Sequence, residues 1–257
     1  MIELKDLTIG YIGKKNQPTV IASGINATLT TGQLTCLLGP NGVGKSTLLK
    51  TVTAFLPKLS GEIVIDGNGI ESYTEKQLAR KIGVVLTERT SVQNMTVEEL
   101  VALGRSPYTG FWGRLEDEDK AMVDEAMQQA GIKRLAHRYV DTLSDGERQR
   151  AMIAKALAQN TPFICLDEPT SFLDFQSKVE MLRLLRHISS NGGKTIFLST
   201  HDVELALQMA DNLWLMEKNQ TLNIGTPRQL ADNGSLNRFF DNDSITFDPT
   251  TLRLIIK

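Results

Sequence analysis

The stretch from Thr31 to Lys50, TGQLTCLLGPNGVGKSTLLK, constrains the fold of this chain more than any other. Its apolar run from Leu34 to Leu38 predicts a short strand, and a helical pattern begins at Lys45. The turn between them consists of Gly39, Pro40, Asn41, Gly42, Val43 and Gly44. A strand, a tight turn and a helix with the spacing Gly-x-x-x-x-Gly-Lys-Ser/Thr suit a triphosphate, because backbone N–H groups and the positive helix N-terminus face the phosphates.

Side chains at the start of this helix have predicted roles. Lys45 would reach the β- and γ-phosphate oxygens, and the hydroxyl of Ser46 would bind Mg²⁺, with Thr47 beside them in the same loop. The alternative is a glycine-rich turn that carries a lysine by chance, a coincidence expected about once in a hundred chains of this length. The flanking strand and helix favour the nucleotide interpretation.

Length and composition limit the class of protein. The chain has 257 residues, of which 41% are hydrophobic, enough for one large α/β domain or for a core domain with a subdomain. Its net charge of -2 comes from 28 basic and 30 acidic residues, so a polybasic surface for nucleic acid or membranes is not expected. We therefore predict no nucleic-acid partner.

Cysteine content and apolar runs bear on the compartment. Cys36 and Cys165 lie in apolar, strand-like runs, which indicates small buried hydrophobes in a reducing compartment; a disulfide or metal pair is the less favoured alternative. No apolar run approaches the roughly 18 residues needed to span a bilayer, and the opening MIELKDL lacks the features of a signal peptide. We expect a soluble cytoplasmic chain whose membrane role would depend on a partner.

The first thirty residues predict a small antiparallel layer. Residues 2–9 alternate apolar and polar side chains, as a half-buried strand does, and a second strand is expected over about 24–30. Tyr11 follows the first strand, near the predicted nucleotide site. Its ring could stack on a base, or it could cover the sheet edge as an ordinary rim tyrosine.

The middle of the chain, from about residue 88 to 159, is almost entirely helical in pattern. We interpret it as a helical block inserted into the α/β core. Its loop Ser106 to Leu115, SPYTGFWGRL, either forms an exposed docking surface or packs on itself. The acids up to Asp119 fall in the first turn of a predicted helix, where they complement the helix dipole.

A buried strand in the second half of the chain ends in two carboxylates. Pro162 to Leu166 is continuously apolar, and Asp167 and Glu168 follow it. Strands and helices then alternate, which predicts a doubly wound sheet with ligands at the C-terminal ends of its strands. Asp167 would hold the Mg²⁺ shell, and Glu168 would orient or deprotonate a water. Because neighbouring side chains on a strand point to opposite faces, the two could divide these roles.

Two further features are compatible with an anionic ligand. Ser144 and Glu147 have the spacing of a capping box, and with Asp145 and Gly146 they form a helix start that a phosphate could approach, although capping alone also accounts for the segment. One nucleotide needs one such cradle, so a second cradle favours two copies of the chain related by a two-fold axis. His201 follows the apolar strand TIFLST and could donate to a γ-phosphate.

Four motifs occur in order along the chain: GPNGVGKST, LSDGERQR, FICLDEPTSFLD and STHD. They resemble the Walker A, signature, Walker B with D-loop, and switch-histidine motifs of ATP-binding cassette (ABC) ATPases across residues 2 to about 225. The resemblance implies ATP and Mg²⁺ as ligands and a homodimer that closes on ATP and reopens after hydrolysis. It also implies that Tyr11 stacks on adenine, that Ser144 and Gly146 contact the partner's nucleotide, that Asp174 works across the interface, and that His201 reads the γ-phosphate.

A finer resemblance is to importers of metal chelates. The segment LVALGRSPYTGFWGRL, and a C-terminal helix and hairpin over 226–257, look like those of ATPases serving iron-siderophore, haem and cobalamin importers. This implies two integral-membrane permease subunits, a binding protein and a place on the cytoplasmic face of the inner (cell) membrane. The chain departs from the family at Thr87, where glutamine is usual. Thr87 would reach Mg²⁺ only through a bridging water, and Glu88 beside it could substitute.

The predicted fold is a single ABC ATPase domain over residues 1–257. Residues 1–87 and 161–225 form a P-loop NTPase core, a mostly parallel sheet with helices on both faces plus the antiparallel β layer, and residues 88–160 form the helical subdomain. The predicted function is ATP hydrolysis coupled to uptake of an iron chelate, haem or cobalamin. The alternatives are a soluble cassette ATPase without a transport role, for example in iron-sulfur cluster assembly, and, more distantly, a P-loop kinase.

Overall fold

The computed structural model describes residues 1–13, 17–86, 94–110, 113–217 and 222–257. Within these ranges the strands are, in chain order, β1 (Ile2–Ile12), β2 (Pro18–Leu29), β3 (Leu34–Leu38), β4 (Ser60–Ile65), β5 (Asn68–Gly69), β6 (Ile82–Val85), β7 (Phe163–Leu166), β8 (Thr195–Ser199), β9 (Asn212–Met216), β10 (Leu222–Gly225), β11 (Ile245–Asp248) and β12 (Arg253–Ile256). The α-helices are α1 (Lys45–Val52), α2 (Glu75–Leu78), α3 (Val97–Ala102), α4 (Asp117–Gln129), α5 (Asp145–Ala158), α6 (Phe175–Gly192), α7 (Val203–Met209), α8 (Pro227–Asp232) and α9 (Ser235–Phe240). In this part of the chain every helix is too short or too polar to cross a lipid bilayer.

The central sheet of the described residues has the strand order β10-β9-β3-β8-β7-β6. β3 pairs in parallel with β8 and β9, β7 pairs in parallel with β6 and β8, and β10 adds an antiparallel edge to β9. The runs LTCLL, FICL and TIFLS are buried at every position, as parallel strands covered on both faces should be. The predicted fold class, a mostly parallel α/β sheet with an added antiparallel layer, is confirmed.

Alternate residues of this sheet belong to two different cores. Cys36 of β3 lies in an apolar cluster with α5, α6 and α7, whereas its neighbour Leu37 lies in a cluster with α1 and the antiparallel layer. Phe197 and Trp214, from β8 and β9, contact each other in the second cluster with ring centroids 4.8 Å apart. The sheet is therefore packed on both faces, which fixes the positions of its strand ends.

The N-terminal layer is an antiparallel sheet in the order β2-β1-β4-β5 over the described residues. Its first two strands are longer than the sequence pattern predicts, because Tyr11 pairs with Thr19 and Ile12 pairs with Pro18. These pairs extend the hairpin beyond the alternating, half-buried part into exposed residues. Tyr11 therefore lies within β1 instead of following it.

The helices α3, α4 and α5 pack on one another and on the central sheet through one apolar cluster. A buried ion pair joins them: Nε of Arg105 donates to Oδ1 of Asp119 at 2.8 Å, and Nη1 of Arg105 donates to the carbonyl oxygen of Ala158 at 2.8 Å. Asp119 thus binds a buried guanidinium in addition to its expected place in the first turn of a helix.

Residues 106–110, in the first half of the loop between α3 and α4, pack against neighbouring side chains. The ring of Tyr108 lies under two guanidinium groups, 4.0 Å from that of Arg105 and 4.9 Å from that of Arg80. Nη2 of Arg80 also donates to the carbonyl oxygen of Pro107 at 2.9 Å. Of the two alternatives for this loop, these residues follow the self-packed one, while residues 111–112 lie outside the described ranges.

The C-terminal segment contains more structure than its pattern predicts. The capping box at Thr226 starts α8, and β11 pairs with β12 as the expected hairpin. The sequence pattern does not predict α9 or β10, because each is short and lacks a clear apolar period. Phe240 of α9 contacts both Phe239 and Phe247, and the latter contact holds the helix against the hairpin.

We predict that Leu198→Ala destabilises the protein. Leu198 is 0% exposed in β8, so the change removes buried methyl groups and leaves a cavity. The free energy of unfolding, measured by chemical denaturation, should fall by about 2–5 kcal/mol. The matched control is Leu103→Ala, at a side chain that is 46% exposed, which should cost less than about 1 kcal/mol. Equal losses in the two variants would contradict the core described above.

Candidate nucleotide-binding site

The phosphate loop, residues 39–47, connects the end of β3 to the start of α1. Gly44 has a φ of 114°, and a Cβ there would overlap Cγ2 of Ile21, so the turn into α1 requires glycine. Gly39 is constrained in a similar way, because its Cβ would lie 2.7 Å from the carbonyl oxygen of Met216. The local structure is therefore the predicted one, a strand end, a tight turn and a helix N-terminus.

Lys45 folds back over this loop. Its Nζ donates to the carbonyl oxygens of Gly39 at 2.8 Å and Pro40 at 3.2 Å, and the residue is 6% exposed. Burial lowers the pKa of the Lys45 ammonium from its ordinary value, and the nearby carboxylates of Glu168 and Asp167 act in the opposite direction. Lys45 is thus within electrostatic reach of both predicted carboxylates. Phosphate oxygens would have to replace the two loop carbonyls for the predicted contact to form.

Tyr11 contacts the helix that follows the phosphate loop. Its hydroxyl lies 2.7 Å from Oγ1 of Thr47, and either group can donate. Thr47 is buried, whereas Tyr11 is 46% exposed. A ring that is anchored at its tip and open to solvent beside the phosphate loop supports the stacking role over the rim role.

Asp167 and Glu168 follow β7 at the same edge of the sheet. Oγ of Ser199 donates to Oδ1 of Asp167 at 2.6 Å and accepts from the backbone N–H of Glu168 at 2.9 Å. Glu168 has a φ of 48°, so the chain has already left the extended conformation. The different environments of the two carboxylates therefore arise from a turn after β7 and not, as the sequence suggests, from alternation along a strand.

Glu168 and His201 form a direct pair. Nε2 of His201 lies 2.6 Å from Oε1 of Glu168, and Oγ of Ser171 donates to Oε2 of Glu168 at 3.0 Å. The sequence predicts separate roles for the two residues and gives no sign of this contact. They meet because β7 and β8 are parallel neighbours whose C-terminal ends lie side by side. A carboxylate and an imidazole in contact at an open edge can orient a water and hold or move a proton.

The residues present fit a hard cation such as Mg²⁺. Ser46, in the first turn of α1, and Asp167, at the end of β7, supply a hydroxyl and a carboxylate, which are oxygen ligands of the type that Mg²⁺ prefers. Bound Mg²⁺ would neutralise charge on the phosphates. Thr87 and Glu88 lie outside the described residues, so the predicted water-bridged contact of Thr87 stays a prediction.

Ser144 caps α5 as its spacing predicts. The N–H of Glu147 donates to Oγ of Ser144 at 3.3 Å, and the N–H and hydroxyl of Ser144 both donate to Oε2 of Glu147 at 3.0 Å. The hydrogen bond from the Ser144 N–H lowers the pKa of the Glu147 carboxyl. Asp145 is the first residue of the helix, and a Cβ at Gly146 would make ordinary van der Waals contacts, the nearest with Cδ2 of Leu173 at 3.8 Å.

A cleft of about 370 Å³ opens at the start of α5. Ser144 and Gly146 line it together with the basic side chains of Arg134 and Arg150. None of the described residues that line it belongs to the phosphate loop. Glu147 and Glu180 also line the cleft, and Arg150 pairs with Glu180 at 3.0 Å. The cleft is thus a second surface, separate from the phosphate loop, at the helix start that is predicted to face another nucleotide.

Asp174 is the N-cap of α6 and is flanked by exposed aromatics. Its Oδ1 accepts from the N–H of Ser177 at 2.8 Å, and this hydrogen bond lowers the pKa of the Asp174 carboxyl. Phe172 is 70% exposed and Phe175 is 71% exposed. Two large apolar side chains exposed at one turn are typical of a contact surface, which supports the predicted position of Asp174 at an interface.

Asp202, directly after His201, is a site residue that sequence reasoning missed. Its Oδ2 accepts from Oγ1 of Thr170 at 2.6 Å, and its Oδ1 accepts from Nζ of Lys178 at 2.6 Å. Ser199 was missed in the same way. The signals in the sequence are hydroxyls near strand ends and a lysine on a helix, and such residues are too common to single out.

The parallel sheet, the phosphate loop after β3 and the carboxylates after β7 define a P-loop nucleoside triphosphatase. Residues 22–171 match the model of the ABC transporter family. The chain belongs to that family, and its predicted ATPase class is thereby confirmed.

Relatives cover most of the chain. An uncharacterised ABC transporter ATP-binding protein of Methanocaldococcus jannaschii is 39% identical over 94% of this chain and 81% of its own length. The ferric enterobactin transport ATP-binding protein FepC of Escherichia coli is 37% identical over 92% of this chain and 85% of its own. The iron(3+)-hydroxamate import ATP-binding protein FhuC of Bacillus subtilis is 34% identical over 97% and 91%. Among solved structures, a dimeric bacterial ABC transporter cassette is 27% identical, with a TM-score of 0.76 over 88% of this chain and 99% of that one.

We predict that Glu168→Gln suppresses ATP turnover and preserves ATP binding. The amide keeps the size of the side chain but cannot accept a proton, and the phosphate loop is untouched. Phosphate release should slow by about 10²–10⁴-fold, while binding of a fluorescent ATP analogue stays close to that of the wild type. Glu118→Gln, at an exposed position on α4, is the matched control. Near-normal turnover in the Glu168 variant would remove this residue from its proposed role.

Proposed function

We propose that this chain is the ATP-hydrolysing subunit of an importer for an iron chelate. The observation that carries the ATPase part is the meeting of Lys45, Glu168 and His201 at one edge of the parallel sheet. The transport part is supported by the relatives named for ferric enterobactin transport and iron(3+)-hydroxamate import, which match 92% and 97% of this chain. Haem and cobalamin remain alternative cargoes, because selectivity would lie in the partner subunits.

In this proposal, partner subunits hold the chain at the membrane surface. Two integral-membrane permease subunits would hold it at the cytoplasmic face of the inner membrane, and a binding protein would deliver the chelate to them from the other side. A soluble cassette ATPase is the rival proposal, but the relatives reported above are transport proteins by name. A P-loop kinase has no use for the Ser144 cleft and would release a phosphorylated product in place of free phosphate.

In the proposed reaction each group has its own role. Tyr11 stacks on adenine, and the N–H groups of residues 39–47 with the Lys45 ammonium bind the phosphates. Glu168 orients the attacking water and accepts its proton, and His201 donates to the γ-phosphate. His201 must give up its hydrogen bond with Glu168 to do so. Binding of ATP is therefore linked to release of the Glu168 carboxylate for the water.

The proposed working unit is a homodimer. The cleft at Ser144 and Gly146 would face the partner's nucleotide, and Asp174 would lie across the interface. Three observations support this arrangement: the cleft is separate from the phosphate loop, Phe172 and Phe175 are exposed beside Asp174, and a related cassette is dimeric. Burial of the two aromatic rings on association would supply apolar area at that interface.

We predict that Phe172→Ser with Phe175→Ser prevents formation of the ATP-held dimer. In the Glu168→Gln background, ATP should convert the chain from monomer to dimer, as measured by light scattering. The two serine changes remove apolar area of about 150–250 Å² per ring and should shift the protein back towards monomer. Phe55→Ser, at a side chain that is 64% exposed elsewhere, should keep the dimer. If the Glu168 variant stays monomeric at saturating ATP, the homodimer itself is wrong.

A groove of about 490 Å³ is our proposed docking site for a helix of the membrane subunit. Phe55, Leu78 and Val84 provide apolar lining, and Lys155 and Gln159 lie at its polar side. The sequence favours a groove next to Thr87, edged by Arg105 to Trp112, as this docking site, and Val84 in β6 lies three residues before Thr87 in the chain. Among the described residues, the groove is lined by the segment after α1 and by α2, β6 and α5, and none of residues 105–110 lines it.

We predict that Phe55→Asp abolishes uptake and leaves the ATPase activity of the isolated chain intact. A charge at position 55 would be buried by the docked helix and would oppose docking, whereas the nucleotide site is untouched. The measurement is uptake of a labelled ferric siderophore by cells that express the wild-type chain or the variant together with its permease subunits. Ile256→Asp, at a residue that is 85% exposed, is the control and should not affect uptake. Equal loss of uptake and isolated ATPase activity would count against the groove, and failure to co-purify with any membrane protein would favour the soluble rival.

A further inference from the structure

Asp202 connects three segments that border the proposed active site. Oγ1 of Thr170 donates to its Oδ2 at 2.6 Å, and Nζ of Lys178 donates to its Oδ1 at 2.6 Å. Thr170 lies in the turn after β7 that also carries Glu168, Lys178 lies in α6, and Asp202 directly follows His201. One carboxylate therefore links the ends of β7 and β8 to α6.

The contacts of Asp202 are partly buried. Thr170 is 2% exposed, and the side chains of Lys178 and Asp202 are 27% and 20% exposed. An ion pair at this depth is screened less than a surface pair, and loss of a partner would leave buried polar groups unsatisfied. Asp202 is also held from the backbone, because its N–H donates to Oγ1 of Thr200 at 3.1 Å. The segment around His201 is thus anchored on both sides of the histidine.

Lys178 is also tied to Asp174. The N–H of Lys178 donates to the carbonyl oxygen of Asp174 at 2.9 Å, in the first turn of α6. A displacement of Asp174 would carry Lys178 with it, because a hydrogen-bonded helical turn moves as a unit. Lys178 in turn holds the residue next to His201. The connection from Asp174 to His201 therefore consists of one helical turn and one charged hydrogen bond.

We propose that Lys178 is a positioning residue for ATP hydrolysis, which holds His201 in place through Asp202 and links its position to Asp174. The inference rests on the proposed function, because it requires that His201 acts on the nucleotide. Lys178 contacts Asp202 and not the reacting atoms. Its charge is what matters, since a charge-assisted hydrogen bond is roughly twice as strong as a neutral one.

The experiment compares Lys178→Met and Lys178→Arg in the purified chain. Methionine keeps the apolar stem and removes the charge, whereas arginine keeps the charge. Lys178→Met should lower kcat on the order of tenfold with little change in KM for ATP, because misplacement of a group mainly affects the transition state. Lys178→Arg should recover most of the loss. Lys120→Met is the matched control, because it removes an exposed ion pair with Asp117 at 2.8 Å and should leave kcat unchanged.

A double-mutant cycle with His201→Ala separates positioning from a merely structural effect. If Lys178 acts through His201, Lys178→Met will lower kcat little further in the His201→Ala background, whereas independent effects would multiply. Asp202→Asn removes the charge from the other side of the pair and should give the same result. It replaces Lys178→Met if thermal melting shows that the Lys178→Met variant is not folded. Multiplicative losses, no rescue by arginine, or wild-type kcat in Lys178→Met would each overturn the proposal.

The result also distinguishes this inference from the proposed function. A wild-type chain that releases phosphate from ATP while Lys178→Met and Asp202→Asn match its kcat overturns the positioning role alone. A wild-type chain that releases no phosphate at saturating ATP and Mg²⁺ overturns the proposed function and the positioning role together.

Discussion

The parallel pairing of β3 with β8, and of β8 with β7, is the constraint on which the whole site depends. Leu37 pairs with Ser199, and Leu198 pairs with Leu166, so the three strands end at the same edge of the sheet. The phosphate loop, His201 and Glu168 each leave from one of these ends. Because both faces of the sheet are packed by apolar clusters, the strand ends cannot slide without opening a core. The reacting side chains are thus positioned by backbone hydrogen bonds in which they take no part.

The parts of this structure that sequence predicts well are those that follow from local rules. Continuous apolar runs identify the buried strands, glycine spacing identifies the phosphate loop, and serine or threonine three residues before an acid or amide identifies capped helix starts. The hairpin of β1 and β2 is an exception in its length only. Its outer residue pairs are exposed and are held by backbone hydrogen bonds, so the sequence there shows no alternation of apolar and polar residues from which strands could be predicted.

Side-chain pairing at the site could not be predicted, because it depends on turns that have no periodicity. Glu168 adopts a left-handed conformation, and this single φ value directs its carboxylate to His201 and its N–H to Ser199. The sequence places Asp167 and Glu168 side by side but contains no signal for that turn. Lys178 and Asp202 are 24 residues apart and meet only because α6 packs beside the end of β8. Such contacts follow from the tertiary structure, which a single sequence does not display.

The groups that would act on ATP already form hydrogen bonds within the protein, so nucleotide binding must break these hydrogen bonds. Lys45 donates to two carbonyls of its own loop, and both oxygens of Glu168 accept hydrogen bonds, from His201 and Ser171. Polar groups at a partly buried site need such partners, so a nucleotide exchanges these hydrogen bonds for new ones instead of simply adding to them. The exchange at Lys45 needs only a phosphate in the loop. The exchange at His201 also needs a γ-phosphate, because in the proposed reaction His201 donates its hydrogen bond to that group. ADP would therefore leave Glu168 paired with His201, and only the triphosphate would release the carboxylate that the reaction uses.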